Sequence, residues 1–230
     1  KIAKKRRLNI VSFGYSYKSD VKLLKLKKLG KYYKIEVQIF DELKKFEIRY
    51  NYKNYIKNIL SALAVLYILK ITKNLRFNFF KNFLIPKGRG NISKIKFKNK
   101  KIFLIDESYN SNPLSLSSAI LNFSNTNIKS EKKHFLMGDM LELGKHSKKL
   151  HKDMSNILNN SKINKIHIYG NDVAETFKGI KKKRKGRILR KISDIYDLIV
   201  RDLNNNDYLM VKGSNSTGLN KIVETLRGSI

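Results

Sequence analysis

The chain has 230 residues, with 50 Lys plus Arg against 18 Asp plus Glu, so its formal net charge is +32. It contains no cysteine, which excludes disulfides, thiolate nucleophiles and zinc–thiolate sites. A hydrophobic fraction of 41% is enough for a packed core, and the length fits one large domain or two small ones. The longest apolar stretch, residues 59–69, is too short to span a bilayer, and the amino terminus lacks a signal-peptide apolar region. We therefore expect a cytoplasmic protein with no membrane partner.

The positive charge has two interpretations. A strong positive field attracts polyanions, which would suit a basic α/β protein that binds nucleic acid without catalysis. Lysines, however, occur in almost every segment, as expected for the Lys-, Asn- and Ile-rich proteome of an AT-rich genome. Only residues 181–187 form a true cluster, in a predicted solvated loop. The pattern favours compositional bias and no specific nucleic acid, and nucleic-acid binding remains the alternative.

In chain order, the first part of the sequence predicts two types of element. Strand patterns come first, and the second and third of them can pair across residues 41–45: residues 9–14, 33–40 and 46–50. Two helical patterns follow, the second weaker and rich in aromatic residues: residues 54–71 and 74–83.

A cluster of helix and strand breakers at residues 86–90 predicts a domain boundary, with one domain over residues 1–85 and another over residues 86–230. Beyond it, predicted strands and helices alternate. The strands are residues 102–105, 134–137, 165–169, 188–189 and 208–211. The helices are residues 114–123, 146–158, 172–177, 192–203 and 218–226. This alternation predicts an α/β fold with a doubly wound, mostly parallel, Rossmann-like sheet.

An acidic turn follows the first strand of the second domain. The apolar run ends in Asp106, and Asn112-Pro113 can cap and open the next helix. A carboxylate in this place can accept both hydroxyls of a ribose, and Tyr109 can stack on a base. The alternative from spacing alone is that Asp106 caps the turn and Tyr109 packs on the surface.

Two further turns follow predicted strands. In residues 137–144, glycines permit tight turns around Asp139 and Glu142. His151 lies downstream, but the spacing is not that of a zinc motif, so we expect a hydrogen-bonding role for it and no metal site. Residues 211–218 place a glycine-rich turn at a helix start, where free N–H groups can face an anion; a turn that binds nothing is the alternative.

Taken together, these segments resemble the carboxyl-terminal half of Mur ligases, in particular the type that adds D-alanyl-D-alanine. Residues 106–113 match the family's Asp-Asp/Glu-Ser-Tyr-Asn-Ala-Asn-Pro motif except at Ser111. Residues 137–144, with Ser147 and His151, match its Gly-Asp-Met-Leu-Glu-Leu-Gly block. Residues 54–64 are similar to a family helix start, with Asn54 in place of its His and Tyr55 in place of its first Asn. One of the family's two amide contacts to adenine is thereby lost.

The resemblance implies roles for individual residues. It implies that Arg89 binds the phosphates of ATP and that Asp106 binds its ribose. Tyr109, Asn110 and Asn58 would lie at the adenine. For the D-alanyl-D-alanine substrate it implies Lys212 and Ser214 at the carboxylate, with further candidates at Asn112, Asp139 and Glu142. It implies no catalytic residue and no metal ligand within this chain.

The same resemblance implies an ATP- and Mg²⁺-dependent amide ligase that acts through an acyl phosphate, with UDP-N-acetylmuramoyl-tripeptide and D-alanyl-D-alanine as its substrates. It also implies that residues 1–85 are the end of a central ATPase domain. The family's phosphate loop, Gly-x-x-x-x-Gly-Lys-[Ser/Thr], does not occur in the 230 residues. We therefore expect the chain alone, as a monomer, to be inactive.

Overall fold

The computed structural model describes residues 5–6, 8–49, 55–72, 75–127 and 132–228. The chain divides into two compact units, an amino-terminal unit over Lys1–Leu84 and a carboxyl-terminal unit over Ile85–Ile230. Across the described residues, every helix is too short or too polar to cross a membrane.

The amino-terminal unit contains a four-stranded sheet in the order β1-β2-β3-β4. Its strands are β1 (Phe13–Gly14), β2 (Val21–Leu29), β3 (Tyr32–Ile39) and β4 (Glu42–Arg49). β1 and β2 are parallel, and the other neighbours are antiparallel. The predicted hairpin is present, with a shorter turn at Phe40-Asp41, where Phe40 adopts a φ of 50°.

Among its described residues this unit also contains the helices α1 (Ile56–Ile68) and α2 (Phe79–Asn82). α1 buries one face, because its apolar side chains recur at helical spacing: Ile56, Ile59, Leu60, Leu63 and Ala64. Near α2 the packing is aromatic, since the Phe80 and Phe77 ring centroids lie 4.9 and 5.2 Å from that of Phe46.

The carboxyl-terminal unit is built on a six-stranded sheet in the order β5-β6-β10-β7-β8-β9. The strands are β5 (Asn91–Phe97), β6 (Lys100–Glu107), β7 (Lys133–Gly138), β8 (Lys165–Tyr169), β9 (Lys185–Leu189) and β10 (Tyr208–Lys212). Only the β5–β6 pair is antiparallel. The helices are α3 (Pro113–Asn125), α4 (Ser147–Asn159), α5 (Val173–Lys178), α6 (Asp194–Asp202) and α7 (Leu219–Gly228).

Helices cover both faces of this sheet. One apolar core joins the sheet to α3, α4 and α5, with buried contributions from Leu116, Phe123, Met154, Leu158 and Val173. A second core joins the opposite face to α6 and α7, through Ile195, Leu198, Ile222, Val223 and Leu226. The predicted doubly wound, mostly parallel α/β fold is therefore confirmed.

The topology creates a crevice at the carboxyl edge of the sheet. β10 lies between β6 and β7. The chain leaves β6 and β7 towards one face of the sheet, through α3 and α4, but leaves β10 towards the other face, through α7. In open α/β sheets such a reversal is where ligands bind, so the turns after β6, β7 and β10 frame the candidate site.

Cationic side chains close the carboxyl ends of two helices, α3 and α4. The Lys133 Nζ donates to the carbonyls of Ser124 and Thr126 at the end of α3, at 2.7 and 2.8 Å. The Arg184 Nη1 donates to the Leu158 carbonyl at the end of α4, at 3.3 Å, and to the Ile163 carbonyl at 2.7 Å. These carbonyls have no partner within their helices, so part of the excess positive charge stabilises helix ends.

Candidate functional site

Asp106 lies at the end of β6 and is 2% exposed. Its Oδ1 accepts hydrogen bonds from the Ser108 backbone N–H at 3.1 Å and from the Ser108 hydroxyl at 2.6 Å. Its Oδ2 accepts the Gly88 N–H at 3.1 Å and pairs with the Arg227 Nη1 at 2.9 Å. Because four donors satisfy both oxygens, Asp106 joins the turn around Gly88 to the end of α7.

The turn at residues 88–90 approaches the turn after β6 very closely. Gly88 has a φ of 77°, and a Cβ there would lie 2.7 Å from the Tyr109 Cβ, so only glycine fits. The Tyr109 N–H donates to the Gly88 carbonyl at 3.2 Å, and the Gly90 N–H donates to the Asp106 carbonyl at 2.7 Å. These bonds fix the position of the backbone at Arg89.

Arg89 and Tyr109 form an exposed cation–aromatic pair. The guanidinium Cζ lies 4.3 Å from the centroid of the Tyr109 ring, and that tyrosine is 48% exposed. A guanidinium over an aromatic face is an electrostatically favourable arrangement. The same two groups can offer charged donors to a phosphate and a stacking surface to a base.

Glu107 and Lys212 form a second, adjacent pair across β6 and β10. The Lys212 Nζ lies 3.6 Å from the Glu107 Oε2, with the lysine side chain 2% exposed and the glutamate side chain 25% exposed. The same Nζ donates to the Asn110 carbonyl at 2.8 Å. Burial raises the pKa of Glu107, and the Lys212 ammonium opposes that shift. Burial lowers the pKa of Lys212, and Glu107 opposes that shift.

The sequence motifs did not single out Glu107 as a site residue. Its position could have indicated a site residue, because Glu107 follows Asp106 in a strand and successive side chains of a strand point to opposite faces of the sheet. Asp106 is consequently buried among donors, whereas Glu107 keeps an accessible carboxylate.

Ser214 joins the turns that follow β6, β7 and β10. Its hydroxyl accepts the Leu141 N–H at 2.9 Å and donates to the Ser111 carbonyl at 3.3 Å. Its backbone N–H donates to the Asp139 carbonyl at 3.0 Å. Ser214 therefore holds the three turns of the crevice together.

Two of the acidic and amide candidates cap helices. The Asp139 carboxylate accepts the Val173 N–H at 2.7 Å and the Asn171 N–H at 3.0 Å, at the start of α5. Asn112 caps α3 by accepting the Ser115 N–H at 2.8 Å, which confirms the predicted helix start. Glu142, by contrast, is exposed, on a residue with a φ of 64°.

A cavity of about 500 Å³ opens beside Asp139, at the carboxyl ends of β7, β8 and β9; we call it the carboxyl-edge cavity. Its lining includes Asp139, Leu141, Tyr169, Ile188, Arg190 and Thr217. Its volume lies within the range of small-molecule sites. It combines apolar walls with one cationic side chain, that of Arg190.

A comparison with protein families decides how this arrangement is classified. The family model for the Mur ligase, glutamate ligase domain matches residues 93–215, slightly more than half of the chain. The chain belongs to the Mur ligase family. The match begins in β5 and ends just beyond β10, so it spans the whole parallel sheet of the carboxyl-terminal unit.

Two of the similar curated proteins share a name. A UDP-N-acetylmuramoyl-tripeptide–D-alanyl-D-alanine ligase of Rickettsia prowazekii is 24% identical over 216 residues, covering 94% of this chain and 47% of that protein. The ligase of the same name in Buchnera aphidicola is 32% identical over 176 residues, covering 76% of this chain and 37% of that protein. This Mur ligase chain thus spans less than half the length of either relative.

The fold is also that of a solved ligase. The crystal structure of MurF ligase from Thermotoga maritima in complex with ADP has a TM-score of 0.71 to this chain at 22% identity. The alignment covers 99% of this chain and 51% of that one. At this level of identity the likeness establishes the fold of the Mur ligase chain.

His151 of this Mur ligase chain has a structural role. It is fully buried, its Nε2 accepts the Met140 N–H at 3.0 Å, and its Nδ1 donates to the Ser147 carbonyl at 2.9 Å. The predicted hydrogen-bonding role is thereby confirmed. In the part of the chain that the structure describes, no three His, Cys, Asp or Glu side chains group as metal ligands.

Asn58 belongs to the amino-terminal unit, on α1, and is exposed. Its carbonyl accepts the Ser61 hydroxyl at 2.9 Å. Asn54 lies outside the described residues, and Tyr55 immediately precedes α1. The role of Asn58 at adenine stays a prediction.

Proposed function

We propose that this chain is the carboxyl-terminal part of an ATP-dependent ligase that joins D-alanyl-D-alanine to UDP-N-acetylmuramoyl-tripeptide. The observation that carries the proposal is the joining of residues 88–90 to residues 106–113 at the sheet edge, which exposes Arg89 beside Tyr109. The names of the relatives from Rickettsia and Buchnera support both substrates, the tripeptide that supplies the carboxylate and the dipeptide that supplies the amine. We further propose that residues 1–85 complete the central ATPase domain, and that the enzyme is a cytoplasmic monomer.

ATP would bind at the turn after β6. Arg89 would contact the phosphates, since its guanidinium presents a rigid and always charged set of donors. Tyr109 would lie against adenine, together with Asn110. The Arg89 guanidinium now covers one face of the Tyr109 ring, so adenine would use the other face or displace it.

The ribose would meet one of two neighbouring carboxylates. Asp106 already accepts four donors, so a ribose hydroxyl would have to displace one of them. Glu107 retains an accessible carboxylate beside Lys212. We therefore assign the ribose contact to Glu107, and to Asp106 the task of holding the turn that carries Arg89.

D-alanyl-D-alanine would bind in the carboxyl-edge cavity. Its terminal carboxylate suits the exposed Arg190, and its methyl groups suit the apolar surfaces of Leu141 and Ile188. Asp139 lines this cavity, while the exposed Glu142 lies on the same turn. Asn112, Lys212 and Ser214 hold the surrounding turns, because their polar atoms bond to neighbouring backbone.

The reaction transfers the γ-phosphoryl group of ATP to the tripeptide carboxylate, giving an acyl phosphate and ADP. The dipeptide amine then attacks the acyl carbon and loses a proton, and inorganic phosphate leaves. The contribution of this chain is positioning: it holds the amine and the nucleotide in place, which lowers the entropic barrier. Since the described residues hold no metal-ligand cluster, we derive no step from this chain through Mg²⁺.

The variant Arg190→Gln, made in the natural ligase, tests the acceptor assignment. We expect the KM for D-alanyl-D-alanine to rise about tenfold, because one charged contact is worth roughly 1.5–3 kcal/mol, while the KM for ATP is unchanged. Lys191→Gln removes the neighbouring exposed charge and is the matched control. An unchanged KM for the dipeptide would refute the assignment of Arg190. If the natural enzyme does not ligate the dipeptide at all, the proposed function is refuted.

A further inference from the structure

A second cavity opens at the other edge of the carboxyl-terminal sheet. It has a volume of about 410 Å³ and lies at the amino ends of β7, β8 and β9, away from Asp106 and Lys212. We call it the histidine cavity, since His134 and His167 form part of its lining. The proposed ligase reaction uses none of its side chains.

Cationic side chains dominate the rim. Lys132, Lys165, Lys185 and Arg187 line the cavity against a single acid, Asp202, whose Oδ1 accepts the Arg187 Nη2 at 2.8 Å. The Lys165 Nζ reaches two backbone carbonyls only at 3.2 and 3.3 Å, and the Lys185 Nζ reaches one at 3.4 Å. These contacts are at the long end of the hydrogen-bond range, so the rim keeps positive charge that an anion can meet.

A directed chain of hydrogen bonds forms the floor. The Arg187 backbone N–H donates to the His167 Nδ1 at 2.9 Å, so the proton of His167 is on Nε2. This Nε2 lies 3.1 Å from the His134 Nδ1 and donates to it, which places the proton of His134 on its own Nε2. Desolvation lowers the pKa of His167 to about 3, which keeps that ring neutral.

The chain ends in a donor without a hydrogen-bond partner. The His134 Nε2 is buried and has none, and the nearest carboxylate oxygen, the Asp207 Oδ2, lies 3.6 Å away. His134 itself is 1% exposed. An unsatisfied buried N–H is energetically unfavourable, and the Asp207 carboxylate at 3.6 Å offsets part of that cost.

Gly186 allows strand β9 to close over the floor. A Cβ at this position would lie 2.4 Å from the His167 Nδ1, so any side chain would push the strand and the imidazole apart. The cavity thus depends on a close backbone approach and on two fixed imidazoles, in addition to the lysines of its rim.

We propose that the histidine cavity binds the diphosphate or triphosphate group of a small molecule. Several cationic side chains converge on the cavity, and charge-assisted donors of this kind suit phosphate oxygens. The cavity is concave and has the volume of a small-ligand site, which favours a small phosphorylated molecule over a polymer backbone. The facing acids, Asp202 and Asp207, are outnumbered by the four cations.

Inorganic pyrophosphate is the probe for this site. Calorimetric titration of the protein at neutral pH and about 0.15 M salt should show one site, and Lys132→Gln with Lys165→Gln should weaken it at least about tenfold. Lys182→Gln removes one charge outside the lining, and Arg89→Gln removes the proposed nucleotide contact. Both controls should leave pyrophosphate binding at this site unchanged. A failure of the pyrophosphate proposal can therefore be distinguished from a failure of the ligase proposal.

Three outcomes would overturn the proposal. The first is pyrophosphate affinity that the double variant does not change, and the second is equal weakening by Lys182→Gln, which would indicate general charge attraction. The third is tight binding of a single-stranded oligonucleotide, lost in the double variant, with no binding of pyrophosphate. If the double variant has a lower melting temperature, Lys185→Gln replaces it, with the same expected weakening.

Discussion

At the scale of single residues, the site depends on two adjacent carboxylates with different surroundings. Asp106 is buried, and its oxygens accept donors from the turn at Gly88, from Ser108 and from Arg227. Glu107 lies on the other face of the strand, partly exposed beside Lys212. The Asp106 side chain holds the turns of the site together, whereas the Glu107 carboxylate is accessible to a ligand.

Replacing Asp106 by alanine should affect both stability and nucleotide binding. The change leaves the Arg227 guanidinium and the Gly88 N–H without their partner, so the free energy of unfolding should fall by about 3 kcal/mol. In the natural ligase the KM for ATP should rise, because the turn that carries Arg89 is released. Denaturant titration and steady-state kinetics measure these effects, with Asp153→Ala, an exposed carboxylate, as the control. Unchanged stability and unchanged KM would remove Asp106 from the site.

Replacing Glu107 by glutamine should weaken nucleotide binding and lower stability, and should leave the chemical step unchanged. A ribose contact is made in the ground state and in the transition state, so the KM for ATP should rise several-fold while kcat changes little. The free energy of unfolding should also fall, by about 1–3 kcal/mol, because the buried Lys212 ammonium loses its carboxylate partner. Glu224→Gln, on the exposed face of α7, is the control. A lower kcat at constant KM would contradict the ribose assignment.

His167 should make the fold sensitive to mild acid. Burial and the neighbouring His134 lower its pKa from 6.5 to about 3. The unfolded chain therefore binds a proton that the folded chain excludes, so stability is complete above pH 6.5 and is lost as the pH falls towards 3. Between about pH 7 and about pH 5.5, this residue alone should lower the free energy of unfolding by about 1.2 kcal/mol.

Urea titrations at these two pH values test that expectation. The variant His167→Gln should lose this part of the pH dependence, whereas His146→Gln, which removes an exposed imidazole, should retain it. If the unfolding free energy of His167→Gln depends on pH as steeply as that of the natural sequence, the role of His167 is contradicted.

At the scale of secondary structure, apolar strands were predictable and lysine-rich strands were not. The predicted bounds of β8 match the structure, and β7 and β10 each differ by one or two residues, because short apolar runs mark these strands, with only His167 interrupting the run in β8. β2 and β5 were missed. Their lysines interrupt the apolar pattern, although a lysine stem can lie along a sheet with its charge in solvent.

The candidate site was partly predictable for a related reason. Sequence motifs indicated Arg89, Asp106 and Tyr109, and the structure brings these three residues together. Motifs could not show which polar atoms the fold itself uses, since that depends on partners distant in sequence. Asp139 bonds to the start of α5, for example, and no local pattern connects the two.

Lys133 offers a test of the cations that close helix ends. The variant Lys133→Met keeps the apolar stem but leaves the Ser124 and Thr126 carbonyls without their donor. The free energy of unfolding should fall by about 1–3 kcal/mol. Lys132→Met, at the exposed neighbouring residue, should change it by less than about 0.5 kcal/mol. Equal effects of the two substitutions in denaturant titration would show that the buried ammonium stabilises nothing.

At the scale of the whole molecule, the cations behind the net charge of +32 have several different roles. Some cations close helix ends, some line the histidine cavity, and Arg89 and Lys212 lie at the carboxyl edge of the sheet. The cations are dispersed through the chain, as the compositional interpretation predicts, and the family match over residues 93–215 places the chain in the Mur ligase family.

The choice of acceptor tests the central claim most directly. The natural enzyme should be incubated with ATP, UDP-N-acetylmuramoyl-tripeptide and, separately, D-alanyl-D-alanine or glutamate, and the products separated by mass. The account predicts an amide product with D-alanyl-D-alanine alone, one phosphate released for each bond formed, and loss of the product in Arg190→Gln at low dipeptide concentration. Ligation of glutamate in preference to the dipeptide, or no ATP-dependent product, would contradict it.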